Sequence, residues 1–324
     1  MAAETLRAYT ATWLENIRPT VRHTTVRAYE QTLRCRAFPT LGDTPIDEIT
    51  RPQLKVWFAW LLARYKPGTA GHALVTLHTL LACAVEDEVL VKNPASSLRR
   101  AMRAVLRDKR AAERPPMTRD QLVAFLSAAQ EAPETYPAVL LMAFTGVRIG
   151  EAIGLQWEDV DFLAKAVRIR RQVYADGSVG DLKSGAGLRS IDLADRLAET
   201  LLALRRDRLA HEARFRVPSS PWVLFPDLGP GCTCNMARKV LERAVKGALS
   251  RASLPSHFSC HSLRHTIATA LVEQGANLKY VQRLLGHASI TITADRYARS
   301  ARMTDTATVE RFSAALLTEG RKDA

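Results

Sequence analysis

The stretch from His257 to Arg299 reads HFSCHSLRHTIATALVEQGANLKYVQRLLGHASITITADRYAR, and the rest of the chain is organised around it. Its apolar residues recur at helical spacing in three short segments. Ser262 is the expected cap of the first, with Leu263, Ile267, Ala270 and Leu271 on one face and Gly275 at its end. Asn277 is the expected cap of the second, which turns Leu278, Val281, Leu284 and Leu285 inward and stops at Gly286. Ser289 opens a third, where Ile290, Ala294 and Tyr297 share a face. The polar residues left over are His261 and Arg264, one turn apart, then His287 directly after a glycine, then Tyr297 on the third segment.

Two histidines, an arginine and a tyrosine delivered by successive helix edges can surround a phosphodiester. Arginine offers a planar fork of donors that matches phosphate oxygens. Histidine donates a hydrogen bond or moves a proton near neutral pH. Tyrosine is a covalent nucleophile once its surroundings offset a phenol pKa of about 10.

The stretch resembles the catalytic end of the tyrosine recombinases, the phage-integrase family. Their H-x-x-R box is matched by His261-Ser262-Leu263-Arg264, their L-G-H box by Leu285-Gly286-His287, and their T-x-x-x-Y nucleophile helix by Thr293 to Tyr297. Many members carry a histidine two residues after the tyrosine, where this chain has Arg299. The family's first box, T-G-x-R-x-x-E, is matched by Thr145-Gly146-Val147-Arg148 and, one turn on, Glu151. Its catalytic lysine rides on a β-hairpin, which Lys183 in DLKSGAGLR matches.

Composition bounds the wider reading. The chain has 324 residues, 47% of them hydrophobic, and a net charge of +13, which favours a polyanionic partner such as nucleic acid. The longest apolar run, Ala138 to Phe144, is too short to span a bilayer, and the N-terminus has no apolar signal core. Five cysteines, an odd number, fit a reducing compartment, so a cytoplasmic protein with no membrane partner is expected. Cys232-x-Cys234 has no second pair to complete a zinc site, and no metal ligand set or P-loop is found.

Residues 1–98 read as a helical domain. Leu6, Tyr9, Trp13 and Leu14 form one apolar stripe, and Val26, Tyr29 and Leu33 a second. Thr50 caps a helix that buries Leu54, Trp57, Phe58, Leu61 and Leu62, and the next opens at Gly68-Thr69 and ends at Asn93-Pro94. Trp57, Phe58 and Trp60 fit a buried face rather than a base-stacking platform. Residues 99–116 form a basic linker in which Arg99, Arg100, Arg103, Arg107, Lys109 and Arg110 can track a phosphate backbone. A second domain spans 117–303. Thr118 to Gln121 is a capping box, Ala166 to Val173 alternates as one strand, Ser190 to Leu193 closes a small sheet, and helices run through 197–209 and 240–249. Residues 304–324 form a final helix with Val309, Phe312, Leu316 and Leu317 on one side.

The resemblance implies a mainly α fold with a small antiparallel β-sheet: a two-domain clamp on DNA, with a helical core-binding domain and an α+β catalytic domain. It implies a site-specific recombinase that needs no cofactor and works through a 3′-phosphotyrosyl intermediate. Arg148, Lys183, His261, Arg264, His287 and Tyr297 are its catalytic residues, with Glu151 in support. It implies double-stranded DNA as partner, a tetramer on synapsed sites, an accessory DNA-bending or directionality factor, and a bacterial or phage-derived protein at the nucleoid. In relatives the last helix often docks into a neighbouring protomer. The family's optional arm-binding domain is expected to be absent, since the core-binding pattern starts near residue 4. Two alternatives use the same residues differently: a type IB topoisomerase that relaxes supercoils, and a DNA-binding protein whose site is silent.

Overall fold

The computed structural model describes residues 4–96, 98, 115–174, 176–182, 187–226 and 234–297. The chain divides into two compact units, Met1–Glu113 and Arg114–Ala324.

The first unit is helical. α1 (Leu6–Ile17) is capped by Thr5, whose hydroxyl accepts from the Ala8 amide at 3.2 Å, and it buries Leu6, Tyr9, Trp13 and Leu14 as its spacing predicts. α2 (His23–Arg36) buries Val26 and Leu33, and Tyr29 lies against the Trp13 ring. After a single turn, α3 (Phe38–Leu41), Thr50 opens α4 (Arg51–Arg64) in a capping box with Gln53. Leu54, Trp57, Phe58 and Leu61 face the core, and the buried Trp57 indole donates to the Arg36 carbonyl at 2.7 Å. Trp60 packs at the margin of this core. It is half-buried, with the Arg64 guanidinium 4.6 Å from its ring centre and Tyr65 at its edge.

α5 (Pro67–Glu86) starts at Pro67, whose missing amide is no loss in a first turn. By length and composition it is apolar enough to cross a membrane, but Ala70, Leu74, Leu77, Leu81 and Ala84 are sealed in the core of this unit. The helix ends at Glu86, short of the expected Asn93-Pro94, and Asn93 instead ties the following turn back to it, its side chain donating to the His78 carbonyl at 3.0 Å and accepting from the Ala95 amide at 2.9 Å.

The second unit is built around α7 (Tyr136–Thr145). Residues 137–143 of this helix are all buried, which marks a helix packed on every side. Around it lie α6 (Arg119–Ala129), α8 (Ile149–Ile153), α9 (Asp195–Phe215), α10 (Cys234–Arg251) and α11 (Cys260–Glu273). The Thr118 box is formed in both directions, with Thr118 N–H donating to Gln121 at 3.0 Å and Gln121 N–H donating back at 3.2 Å. α12 (Leu278–Leu285) and α13 (Ile290–Tyr297) follow α11. Asn277 and Ser289 hold their starts, accepting from the Lys279 and Thr291 amides at 2.7 and 3.1 Å.

The expected single strand from Ala166 to Val173 is two strands, in two sheets. β2 (Ala166–Ile169) lies between β1 (Val160–Asp161) and β5 (Arg189–Asp192), whereas β3 (Arg171–Val173) pairs with β4 (Val179–Asp181), all antiparallel. The break falls at Arg170. Arg170 and Arg171 both reach the acidic pair Glu158 and Asp159, with Arg171 at 2.7 and 2.5 Å and Arg170 at 3.9 and 3.6 Å. Consecutive residues of a flat strand point to opposite faces, so two neighbours cannot serve one acidic pair without turning the chain.

Leu77 is fully buried at the centre of α5. Leu77→Ala is expected to destabilise the first unit by about 2–5 kcal/mol, read as a lower urea midpoint. No change would mean that α5 does not hold this core together.

Candidate active site

Helices α7 and α12 end alike. Each stops at a glycine in the left-handed conformation, Gly146 at φ +63° and Gly286 at φ +60°. A side chain at Gly146 would also collide, since its Cβ would stand 3.0 Å from Ile267 and 3.1 Å from Leu285. Such ends leave carbonyls without helical partners and carry partial negative charge. Arg264 of α11 answers both: it donates to the Gly146 carbonyl at 2.7 Å and, through a short hydrogen bond, to the Leu285 carbonyl. Arg264 is only 3% exposed. One guanidinium therefore joins two helix ends, and the chain beyond them presents Arg148 and His287.

The start of α11 differs from expectation. Its cap is Ser259, and Ser262 sits inside the first turn and returns the bond, accepting from the Ser259 amide at 3.0 Å. The buried face also differs. Leu263, Arg264, Thr266, Ala268, Thr269 and Val272 are buried, while Ile267, Ala270 and Leu271 are half-buried. The helix is packed on more than one side, against α7, α10, α12 and α13, so a single apolar stripe understates what it buries.

Arg148 occupies the cap position of α8 and is held by Glu151. The carboxylate accepts from the Arg148 amide at 2.9 Å and from its guanidinium at 2.8 Å, and a second guanidinium nitrogen lies 3.5 Å from the Gly286 carbonyl. The Arg148 side chain is 42% exposed, whereas that of Glu151 is fully buried. A second arginine meets the same carboxylate: Arg189 donates to the two Glu151 oxygens at 2.7 and 3.3 Å, and to the carbonyls of Leu284 and Gly187 at 2.7 and 3.0 Å. Burial raises the Glu151 pKa, but the hydrogen bond and charge of Arg189, with those of Arg148, outweigh it and hold the carboxyl below its ordinary range. A carboxyl whose pKa is lower folded than unfolded stabilises the fold at neutral pH. That contribution disappears as the pH falls through the folded-state value.

His287 is buried. Its Nδ1 lies 2.9 Å from the hydroxyl of Thr293, and its backbone is pinned from both sides by Gln282. Thr293 is fully buried on α13, one turn before Tyr297, so the histidine is tied to the helix that ends in the tyrosine. His261, exposed on α11, lines a cavity of about 320 Å³ with Arg148, Arg264, Arg238, Gln172 and Tyr174. Cys260 borders the same cavity, and burial, reinforced by the charge of Glu242, pushes its thiol up to about 11, so it stays protonated at neutral pH.

The structure thus brings Arg148, His261 and Arg264 to one cavity, with Glu151 behind Arg148. It links His287 to them through the Leu285–Gly286 turn. Tyr297 is placed as the last residue of α13. Lys183, the linker residues Arg99, Arg100, Arg103, Arg107, Lys109 and Arg110, and the helix expected over 304–324 lie outside the described residues. No group of three or more His, Cys, Asp or Glu suited to a metal ion occurs among the described residues. Two participants escaped the sequence reading, Arg189 and Thr293 as the partner of His287. The signal for Arg189 was available: it shares strand parity with the buried Ile191, so a charge was pointed inward and needed a buried partner.

Arg264→Ala would leave two buried carbonyls without donors. At about 1.5–3 kcal/mol for each bond from a charged donor, partly recovered by water, a net loss of about 3 kcal/mol is expected for the second unit. Thermal unfolding checks this, and an unchanged midpoint would show that the clasp contributes no stability.

The family model described as "Phage integrase family" matches residues 116–303, and the one described as "Phage integrase, N-terminal SAM-like domain" matches residues 5–62. A tyrosine recombinase XerC of Mycobacterium sp. (strain KMS) is 30% identical over 83% of this chain and 86% of its own length. A XerC-like tyrosine recombinase of Caldanaerobacter subterraneus subsp. tengcongensis is 26% identical over 72% of this chain, and the match spans 63% of that relative's length. Among solved structures, the Tn1549 transposon integrase in complex with a circular intermediate DNA superposes with a TM-score of 0.77 at 22% identity, covering 96% of this chain and 99% of that one.

Proposed function

The chain belongs to the phage integrase family of tyrosine recombinases, and from that premise we propose how its residues exchange DNA strands. It is a tyrosine-type site-specific recombinase. Tyr297 attacks the scissile phosphate, forms a 3′-phosphotyrosyl link and frees a 5′-hydroxyl. A 5′-hydroxyl from a partner strand then attacks that link and releases the tyrosine. One phosphodiester replaces another, so the exchange needs no external energy source.

The observation that carries this reading is the convergence of Arg148, His261 and Arg264 on one cavity, with His287 bonded to the helix that ends in Tyr297. Arg148 and Arg264 supply donors to the non-bridging oxygens, where charge builds in the transition state. Glu151 holds Arg148 at its place. His287 adds a hydrogen bond, His261 assists proton transfer from the phenol, and Lys183 protonates the leaving 5′-oxygen. Concentrated positive charge also favours tyrosinate, which is only about one part in a thousand of a free phenol at pH 7. The Cys260 thiol is held protonated in the same cavity and does not compete as nucleophile.

The DNA is double-stranded, and the linker arginines from Arg99 to Arg110 track its backbone. The protein works in the cytoplasm as a tetramer on synapsed sites, the helix over 304–324 docks onto a neighbouring protomer, and a DNA-bending or directionality factor sets the outcome. Relaxation by a topoisomerase is the less favoured reading, since the family models that match are those of integrases.

Tyr297→Phe removes one oxygen and keeps the ring. It is expected to bind target sites normally and to form no covalent adduct on a nicked suicide substrate, as read on a denaturing gel. An adduct formed by the Phe variant would overturn the nucleophile assignment.

Lys183→Ala is expected to slow cleavage by about 10²–10⁴-fold, the worth of general acid catalysis. A 5′-bridging phosphorothiolate, whose leaving group needs no proton, should restore the rate. Failure of that rescue would assign Lys183 to phosphate binding instead.

A further inference from the structure

A cavity that receives a phosphate is a poor place for a carboxylate, yet Glu151 is buried directly behind Arg148. If Arg148 were its only counter-ion, the two charges would cancel, and the pair would present little attraction to an incoming anion. Arg189 changes the count. With one carboxylate and two guanidinium groups the cluster carries a single net positive charge. The geometry decides where that surplus sits. Arg189 spends its fork inward, on both Glu151 oxygens and on the carbonyls of Leu284 and Gly187, and its side chain is 5% exposed. Arg148 gives one nitrogen to Glu151 and keeps a side chain that is 42% exposed at the cavity.

We propose that Arg189 is a positioning residue of this active site: it neutralises the Glu151 carboxylate, so that the charge of Arg148 is left to the phosphate. The inference rests on the reading of Arg148 as a phosphate ligand. Arg189 also sits where three elements join. It opens β5 and bonds to Leu284, two residues before Gly286, whose carbonyl faces Arg148. The Arg148 edge, the root of β5 and the turn before His287 therefore meet at one side chain.

The test is a charge-removal pair, Arg189→Met and Glu151→Gln, singly and together. Cleavage of a nicked suicide substrate is timed in single turnover, each variant held well below its own unfolding midpoint. Arg189→Met is expected to be slower by about 10–100-fold, less than the 10²–10³ lost with a direct transition-state donor. Adding Glu151→Gln should recover most of that loss, because it removes the charge left unanswered. A purely structural Arg189 gives the opposite result. Glutamine at 151 cannot replace the bonds to Leu284 and Gly187, so a double variant as slow as Arg189→Met overturns the proposal.

If Arg189→Met does not fold, Arg189→Lys keeps the charge and loses the fork. Losing the fork costs some rate, but the retained charge should keep the variant within about tenfold of wild type, and a folded variant more than a hundredfold slower overturns the proposal. A wild-type protein that forms no adduct would fail the recombinase reading instead. Sodium tungstate, a tetrahedral dianion, then decides the charge argument alone. It should raise the unfolding midpoint of the wild type and the double variant more than that of Arg189→Met. Equal shifts overturn the proposal.

Discussion

The buried guanidinium of Arg264 between two helix ends is the interaction on which the site depends. A helix terminus leaves carbonyls that must find donors, and a glycine in the left-handed conformation aims them out of the helix. Here α7 and α12 end in this way and share one donor. The stabilisation comes from satisfying groups that would otherwise be buried and bare. The same bonds set the distance between the turn carrying Arg148 and the turn carrying His287. Stability and geometry are therefore one property of Arg264, and its loss is not the simple removal of a phosphate contact.

Around this clasp the polar groups form a graded series. Glu151 is fully buried and ionised, Arg189 nearly as buried and committed inward, Arg148 half open, and His261 exposed. Charge is answered first in the interior, and what remains unanswered faces the cavity. The arrangement resembles a salt bridge with one partner too many, and the excess is what an anion meets. His287 is set by a different device. Its ring is oriented by the Thr293 hydroxyl, which engages one nitrogen and couples the imidazole to α13.

Much of this could be read from the sequence where local chemistry is self-sufficient. The caps at Thr50, Thr118, Asn277 and Ser289 form as their residue types predict, and Gly286 ends its helix where expected. Where two candidates competed, the sequence did not decide. Ser259 and Ser262 are three residues apart and each can cap, and the structure uses both, with the earlier one as cap. The strand break at Arg170 depends on Glu158 and Asp159 lying across from two successive arginines, a tertiary fact with no periodic signature. The role of Arg189 is hidden for a related reason. Read alone it is a basic residue near a glycine-rich turn, and only a partner 38 residues away makes it part of the site.

The clasp also bears on how freely such a sequence can drift. Arg264 and Arg189 hold carbonyl oxygens of Gly146, Leu285, Leu284 and Gly187, and a carbonyl belongs to every amino acid. Substitution at these partner positions leaves the accepting atom in place, provided the backbone keeps its path. The bonds themselves constrain the arginines and the path of the backbone and are indifferent to the side chains gripped; Gly146 and Gly187 are restricted instead by the lack of room for a Cβ, and Leu284 and Leu285 by burial in the core. A scaffold fastened through main-chain atoms can keep its shape while most of its side chains are exchanged. That is one physical route by which a chain with 22% identity to a solved integrase retains its fold across 96% of its length.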